Sequence, residues 1–331
     1  MGRAVETAGG PSRAVETAGD PSRVVEIACD ESGSEGEKLV GGNTDMFAHA
    51  SVRIDVRAAE RCLDAVRERA PSPTTMYKSS ILRRSKHRWV VAWLLGPSGP
   101  LLGHAHVHLI DKPRLFTVRL ADLLTGDPAR ARRLAAALGL EGPRVYGAET
   151  WTAFLASLND LLRARNGRVE ITTDAAYDLV ESLRTAAPPG GPVAELMDLL
   201  LRARPRVEAF GERAPGAMPV LDPLIAAIVG TVAHWGRDGA RVRVVHDRQT
   251  ILTDDRIAEL TSLAGPLPGG GRLDGFRLAA SASDARIQVA DLLAGAARQI
   301  AESNRRGGAD PELTALLRPY TSFWGFSGRT S

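Results

Sequence analysis

The sequence predicts an α/β fold carrying an α-helical insertion, and three observations support that reading. Short apolar runs of strand character share residues 24–110 with segments whose apolar positions recur at helical spacing. An Ala-, Leu- and Arg-rich stretch at about residues 127–206 is helical in texture throughout. Strand and helix textures then alternate again over residues 241–303, the pattern that lays helices against a sheet. With 331 residues, 44% of them apolar, the chain can bury a substantial core.

The first strand grows out of a repeat. Residues 3–9, 13–19 and 23–29 are near-copies, but in the third Ala14 has become Val24, Thr17 has become Ile27 and Gly19 has become Cys29. Each change raises strand preference or apolar character. The first two copies run into Gly9-Gly10-Pro11 and Gly19-Asp20-Pro21, which break strands. Residues 1–22 are therefore expected to be a disordered extension, and residues 24–29 a short buried strand ending in Asp30-Glu31-Ser32-Gly33. Residues 38–42 and 47–54 read as strands two and three of a meander. Val56, Ala59, Cys62, Leu63 and Val66 then mark a helix that Pro71 and Pro73 end. A second helix is expected at residues 87–95, stopped by Gly96-Pro97, and a fourth strand at residues 104–110, delivering Asp111-Lys112-Pro113.

Within the insertion, helices are expected at residues 128–138, 150–164, 174–185 and 192–203. Beyond it come a strand at 241–245 followed by His246-Asp247, a helix at 253–264, a strand at 276–280 and a helix at 285–303. The chain thus divides into the extension 1–22, a first part of the core at 23–126, the insertion 127–206, a second part of the core at 218–304 and a tail at 305–331. Gly269-Gly270-Gly271 lacks the Lys and Ser/Thr of a phosphate-binding loop and reads as a plain turn.

Charge and cysteine content exclude several classes. Forty-two basic against 39 acidic residues leave a net charge of +3, which permits a polyanionic partner without demanding one. Two cysteines, Cys29 and Cys62, cannot build a disulfide framework or a cysteine-rich zinc site, and a reducing cytoplasm is the expected location. The longest apolar run, residues 224–233, is shorter than the roughly 20 residues a bilayer span needs, so no membrane association is expected.

The chemistry is expected from acids. Asp30 with Glu31, Asp111, Asp247 and Asp291 each stand at a strand's end or on a helix packing over the sheet, and one shared site explains that placement economically. Carboxylates gathered at strand ends repel one another unless a cation lies between them, and all-oxygen donors favour Mg²⁺ or Mn²⁺ over zinc. Gln288, Asp291 and Gly295 follow i, i+3, i+7 spacing, which puts an amide, an acid and a gap in side-chain cover on one helix face.

Asp30-Glu31-Ser32-Gly33 after the first strand, Asp111-Lys112 after a middle strand, Asp247 after a late strand and Ile287-Gln288-Val289-Ala290-Asp291-Leu292-Leu293-Ala294-Gly295 in the closing helix resemble the family called domain of unknown function thirty-eight hundred. That family is regarded as ribonuclease H-like, and the resemblance covers about residues 24–304. It implies a mixed sheet with flanking helices and an acidic, divalent-metal-dependent site for phosphodiester cleavage. Where relatives often read Glu-x-Lys-x-Ser before the second helix, this chain has Met76-Tyr77-Lys78-Ser79-Ser80, so an acid is replaced by an apolar residue; Glu60 on the first helix is a candidate to compensate.

Two other groups compete for a role. His104, His106 and His108 share a strand face by the period of two, as ligands of a transition metal would, although the polar outer face of an edge strand accounts for them as well. His246 can orient substrate or pair with Asp247. Residues 77–89 hold six Lys, Arg or His among thirteen residues, interleaved with Tyr77 and Trp89. Lys78, Arg83, Arg84 and Lys86 there form a candidate phosphate-tracking surface, against the alternative of a solvated helix entry with Trp89 and Trp93 turned to the core.

The expectation is a metal-dependent nuclease or phosphodiesterase in which Asp30, Asp247 and Asp291 are catalytic metal ligands and Glu31 and Asp111 further ligands or outer acids. Mg²⁺ or Mn²⁺ is the cofactor, Lys78, Arg83, Arg84, Lys86 and Gln288 bind substrate, and nucleic acid is the partner; the oligomeric state is not legible. The alternatives are a catalytically inactive nucleic-acid- or protein-binding module of the same fold, and a His-x-His-x-His metallohydrolase.

Overall fold

The computed structural model describes residues 23–74, 77–163, 171–211, 219–265, 267 and 271–323. The expected disordered extension, Met76 and the end of the tail lie outside these residues. Among the described residues six strands form one mixed sheet in the order β5-β4-β1-β2-β3-β6: β1 (Val24–Ser32), β2 (Met46–Val52), β3 (Ala105–Asp111), β4 (Arg241–Asp247), β5 (Arg272–Ala279) and β6 (Thr321–Phe323). β4 and β5 run parallel to β1, and β3 and β6 share that direction because β2, antiparallel to both β1 and β3, reverses twice. The carboxyl ends of all strands except β2 therefore open on one edge of the sheet.

Strand periodicity sorts the core into two layers. Val25, Ile27, Cys29, Phe47, Ile110, Val242 and Val244 face one layer, built from α4 (Lys112–Thr125), the insertion helices α5 (Pro128–Tyr146), α6 (Ala148–Leu162), α7 (Thr173–Ala186) and α8 (Pro192–Arg202), and α10 (Pro223–Trp235). The short α9 (Arg204–Gly211) closes the insertion. Ala28, Ala48, Ala50, Val107, Leu109 and Val245 face the other layer, where α1 (Val56–Arg69), α3 (Arg88–Leu95) and α12 (Ala285–Arg305) lie, with α2 (Ser79–Leu82) against α12. α11 (Asp254–Leu263) connects β4 to β5, and α13 (Pro311–Leu317) precedes β6, so the residues after 305 supply a helix and an edge strand of the sheet.

The meander is shorter than its sequence suggests. Residues 38–42 are not a strand, although Leu39 and Val40 are buried. The reason is a side chain that substitutes for a ladder: Leu39 N and Val40 N both donate to Asn159 Oδ1, at 2.8 and 3.0 Å, and Asn159 Nδ2 donates to Glu37 O. Buried backbone donors need partners, and a buried Asn from α6 provides them without a neighbouring strand. Five of the described helices went unread in the sequence, α2, α4, α9, α10 and α13, although α4 and α10 carry plain start signals. α4 begins at Asp111, whose side chain accepts from Arg114 N, with Pro113 in the first turn, and α10 begins the same way at Asp222 with Pro223. Both are ordinary helix-start signatures.

Candidate functional site

The alternation along β1 separates its two terminal acids. Asp30 points with Ala28 toward α12, whereas Glu31 follows Cys29 toward α10. β4 lies parallel to β1 with Cys29 opposite His246, which sets Asp247 beside Asp30 and, by the same alternation, on the α12 side with Val245. α12 crosses this end of the sheet and brings Asp291. Asp30, Asp247 and Asp291 thus meet at one place, with Glu31 just around the strand end.

The electrostatics register this meeting. Asp30 is 4% exposed, and burial holds its carboxyl well above the usual carboxylate range, aided by the negative charges of Glu31, Asp291 and Asp247; the Glu31 N–H, donating to Asp30 Oδ1 at 2.8 Å, opposes the shift. Burial raises Glu31 likewise, with Asp247, Asp222 and Asp291 adding to it. Glu31 Oε2 is buried with no hydrogen-bond partner among the described residues. Asp222, which caps α10 through Leu224 N, is an acid the sequence reading missed; burial pushes it up to about 6.

The neighbouring residues orient these acids. Ser79, at the start of α2, donates from its N–H (3.0 Å) and its hydroxyl (3.1 Å) to the two oxygens of Asp291. Gly295 makes room for this contact: a Cβ there would lie 2.2 Å from the Ser79 Cβ, so the gap predicted on the α12 face is where Ser79 sits. Ser281 N donates to Asp247 Oδ1 at 3.0 Å, and Gln288 Nε2 holds the same Ser281 through its carbonyl at 2.9 Å. Gly33 has φ +89° and would bring a Cβ to 2.4 Å from Met46 O, which is why the acidic tetrad must end in glycine. Lys112 is fully buried and ties the loop after β1 in place, donating to Glu35 Oε2 at 2.5 Å and Gly33 O at 3.3 Å.

Other predicted residues are placed elsewhere. Asp111 caps α4 and ion-pairs with Arg305, two strands away from β1 along the same edge. Gln288 and Glu60 line a shallow groove between α1 and the start of α12, together with Leu63, Asp64 and Ser283. Lys78, Arg83, Arg84 and Lys86 are exposed, and Arg83 accepts from Gln299 on α12 through its carbonyl.

The histidines form no polar outer face. His104 precedes β3 and is exposed, whereas His106 and His108 are buried on the α10 side, His106 stacked on His234 with ring centroids 3.5 Å apart. Ser322 of β6 pairs with His108 Nδ1 at 2.9 Å, so β3 is an interior strand. His246 Nδ1–H donates to Asp247 O at 2.8 Å, which leaves its Nε2 to accept from His49 Nε2–H at 3.2 Å, and His49 Nδ1 then accepts from the Thr231 hydroxyl at 3.0 Å. Burial keeps His49 and His246 neutral, the latter pushed down to about 4. His246 therefore braces the end of β4 from behind the acids, its Nε2 standing 3.9 Å from Glu31 Oε2.

The donor chemistry, carboxylate oxygens alone with one of them buried and unpartnered, fits a hard divalent cation. Among the described residues no three His, Cys, Asp or Glu side chains surround a common point. An ion here would be held by one or two carboxylates with water and substrate oxygens completing its shell, the usual habit of Mg²⁺. No helix among the described residues is long and apolar enough to cross a membrane. Comparison of the chain with known protein families, curated proteins and solved structures returned no match.

Proposed function

We propose that this chain is a ribonuclease H-like, divalent-metal-dependent phosphodiester hydrolase, a nuclease or phosphodiesterase. The observation that carries the reading is the convergence of Asp30, Asp247 and Asp291 at the strand ends, with Glu31 beside them, each acid raising the proton affinity of Asp30 or Glu31. So many carboxyls in one buried place cost stability unless a cation offsets them. The mixed sheet and the resemblance of the β1 and α12 motifs support the same reading.

In this site Asp30 and Asp247, on one face of the sheet, would hold Mg²⁺ or Mn²⁺ with Asp291 and Glu31 as acids around its shell, and the ion when bound supplies electrophilic assistance at the phosphate and lowers the pKa of a water. The chain's own residues do the rest. Asp291, fixed by Ser79, presents its two oxygens beside Asp30; Ser281 and His246 hold Asp247 and its backbone; and exposed Lys78 and Arg83, on either side of α2, offer positive charge to the phosphates leading in.

One observation favours the inactive-module alternative: both oxygens of Asp291 are already taken by Ser79. The two readings separate on cleavage. Wild-type protein with Mn²⁺ should cleave a labelled oligonucleotide or a bis(p-nitrophenyl) phosphate reporter, and Asp30→Asn should reduce the rate at least about 100-fold, a loss of some 2.7 kcal/mol in transition-state stabilisation. If wild type does not cleave with Mn²⁺ or Mg²⁺, the hydrolase reading fails and the binding module stands in its place.

A further inference from the structure

The basic stretch ends on an aromatic ring that the fold leaves outside. Trp89, in the first turn of α3, is 52% exposed, the most exposed aromatic residue among the described residues with a large hydrophobic side chain in solvent. Trp93, one turn further on, is half-buried with the Arg69 guanidinium 4.1 Å above its ring, so it is already occupied. The sequence alternative in which both tryptophans turn to the core is therefore not what the chain does.

Four of the cations that precede Trp89 in the chain are unspent. Across the surface, arginines are matched to acids: Arg88 to Asp310 and Glu312, Arg130 to Glu195, Arg184 to Asp198, Arg204 to Asp174. Lys78, Arg83, Arg84 and Lys86 are exposed and make no ion pair among the described residues. Arg83 lies close enough to Arg298 for the two to repel, and Arg298 in turn donates to the Ser32 hydroxyl, directly after the acidic pair of β1. Positive charge thus runs from the segment that leads into α3 to the edge of the carboxylate cluster.

We infer that α2 and the start of α3 form a landing surface for single-stranded nucleic acid, with Arg83, Arg84 and Lys86 on phosphates and one base stacked on Trp89. A charged groove with an aromatic platform is the general recipe for binding a strand whose bases are free. A duplex satisfies the cations but not the ring, because its base faces are covered by their neighbours. The inference names the substrate class of the proposed hydrolase and rests on that reading for what becomes of the strand; the binding itself needs no metal and no cleavage.

The test is fluorescence anisotropy in EDTA with a labelled oligothymidylate of about 20 nucleotides, the same sequence as a duplex, and heparin as a polyanion without bases. Wild type should prefer the single strand to the duplex. Trp89→Ala, a surface change that spares the core, should weaken the single strand about tenfold or more and leave heparin unchanged, whereas Arg83→Ala with Arg84→Ala should weaken both and lower the slope of log K on log salt by about 1.4. Equal affinity for single strand and duplex, or a Trp89→Ala protein that binds oligothymidylate as wild type does, overturns the inference. Tight, Trp89-dependent binding without Mn²⁺-dependent cleavage upholds it and removes the hydrolase.

Discussion

Asp30 is where the cost of the site is concentrated. It is the most buried of the four acids, and it stands beside Glu31, Asp247 and Asp291, so its ionised form is opposed by both desolvation and like charge. Asp30→Asn keeps the shape, keeps an oxygen for the Glu31 N–H and removes one ionisable carboxyl. The metal-free variant should melt as high as wild type or a few degrees higher, and should lose the stabilisation that Mn²⁺ gives wild type. Asp291→Asn should likewise keep the metal-free melting temperature and weaken the Mn²⁺ stabilisation, since its carboxyl stands beside Asp30 and Ser79's rotatable hydroxyl can accept from an amide where it now donates to a carboxylate. If Mn²⁺ raises the melting temperature of wild type and both variants equally, the acids do not share an ion. An acid serving only as a turn former would instead destabilise on replacement, by about 0.5–2 kcal/mol for a lost cap. At this scale the sequence was legible where an acid followed an apolar run, as at Asp30 and Asp247. It misled at Asp111, which also follows a strand but serves α4 as its cap, because an acid at a strand's end and an acid at a helix's start are the same letter when the helix begins at once.

The contact between α2 and α12 links two short stretches that lie more than 200 residues apart, and it exists because α12 lacks a side chain at Gly295. Gly295→Ala would place a methyl 2.2 Å from the Ser79 Cβ, which is backbone-anchored and cannot swing aside. α2 must then lift from α12, and Asp291 loses two donors while remaining partly buried. The expected cost is about 1–3 kcal/mol of unfolding free energy, offset in part by the better helix propensity of Ala. Chemical denaturation measures it. Were Gly295→Ala neutral or stabilising, α2 would have to pack elsewhere and the fixed position of Asp291 would be lost from the argument. The element order of the sheet was largely readable from alternating texture, but the strand expected at residues 38–42 was not there, since its apolar pattern is satisfied by a loop pinned to Asn159. Nothing local to residues 38–42 announces a partner on α6.

Over the whole molecule, two sets of buried groups set opposite pH trends. His49, His106, His108, His234 and His246 are all depressed by burial, His108, His234 and His246 to about 4, so their folded forms resist protonation. A base with a lowered folded pKa contributes stability above its unfolded value near 6.5 and loses it as pH falls toward the folded value. Asp30, Glu31 and Asp222 are raised, so between their unfolded values near 4 and their folded values the native state holds more protons than the unfolded chain, and stability falls as pH rises. Below about pH 7.5 the two trends oppose each other; above it the histidines have finished titrating in both states and Asp30 and Glu31 act, joined toward pH 8.5 by the buried thiols of Cys29 and Cys62, which burial also raises. In EDTA the melting temperature should therefore decline by a few degrees from about pH 7.5 to about pH 8.5. Asp30→Asn should make that decline shallower by removing one of the raised groups. Saturating Mn²⁺ should flatten it too, because a cation favours the ionised carboxylates in the folded state alone and brings their folded pKa values back down. A wild-type profile in EDTA that rises or stays level over this interval would mean that the carboxyls are not held protonated together, and with that the electrostatic case for a cation at Asp30 and Asp247 would be gone.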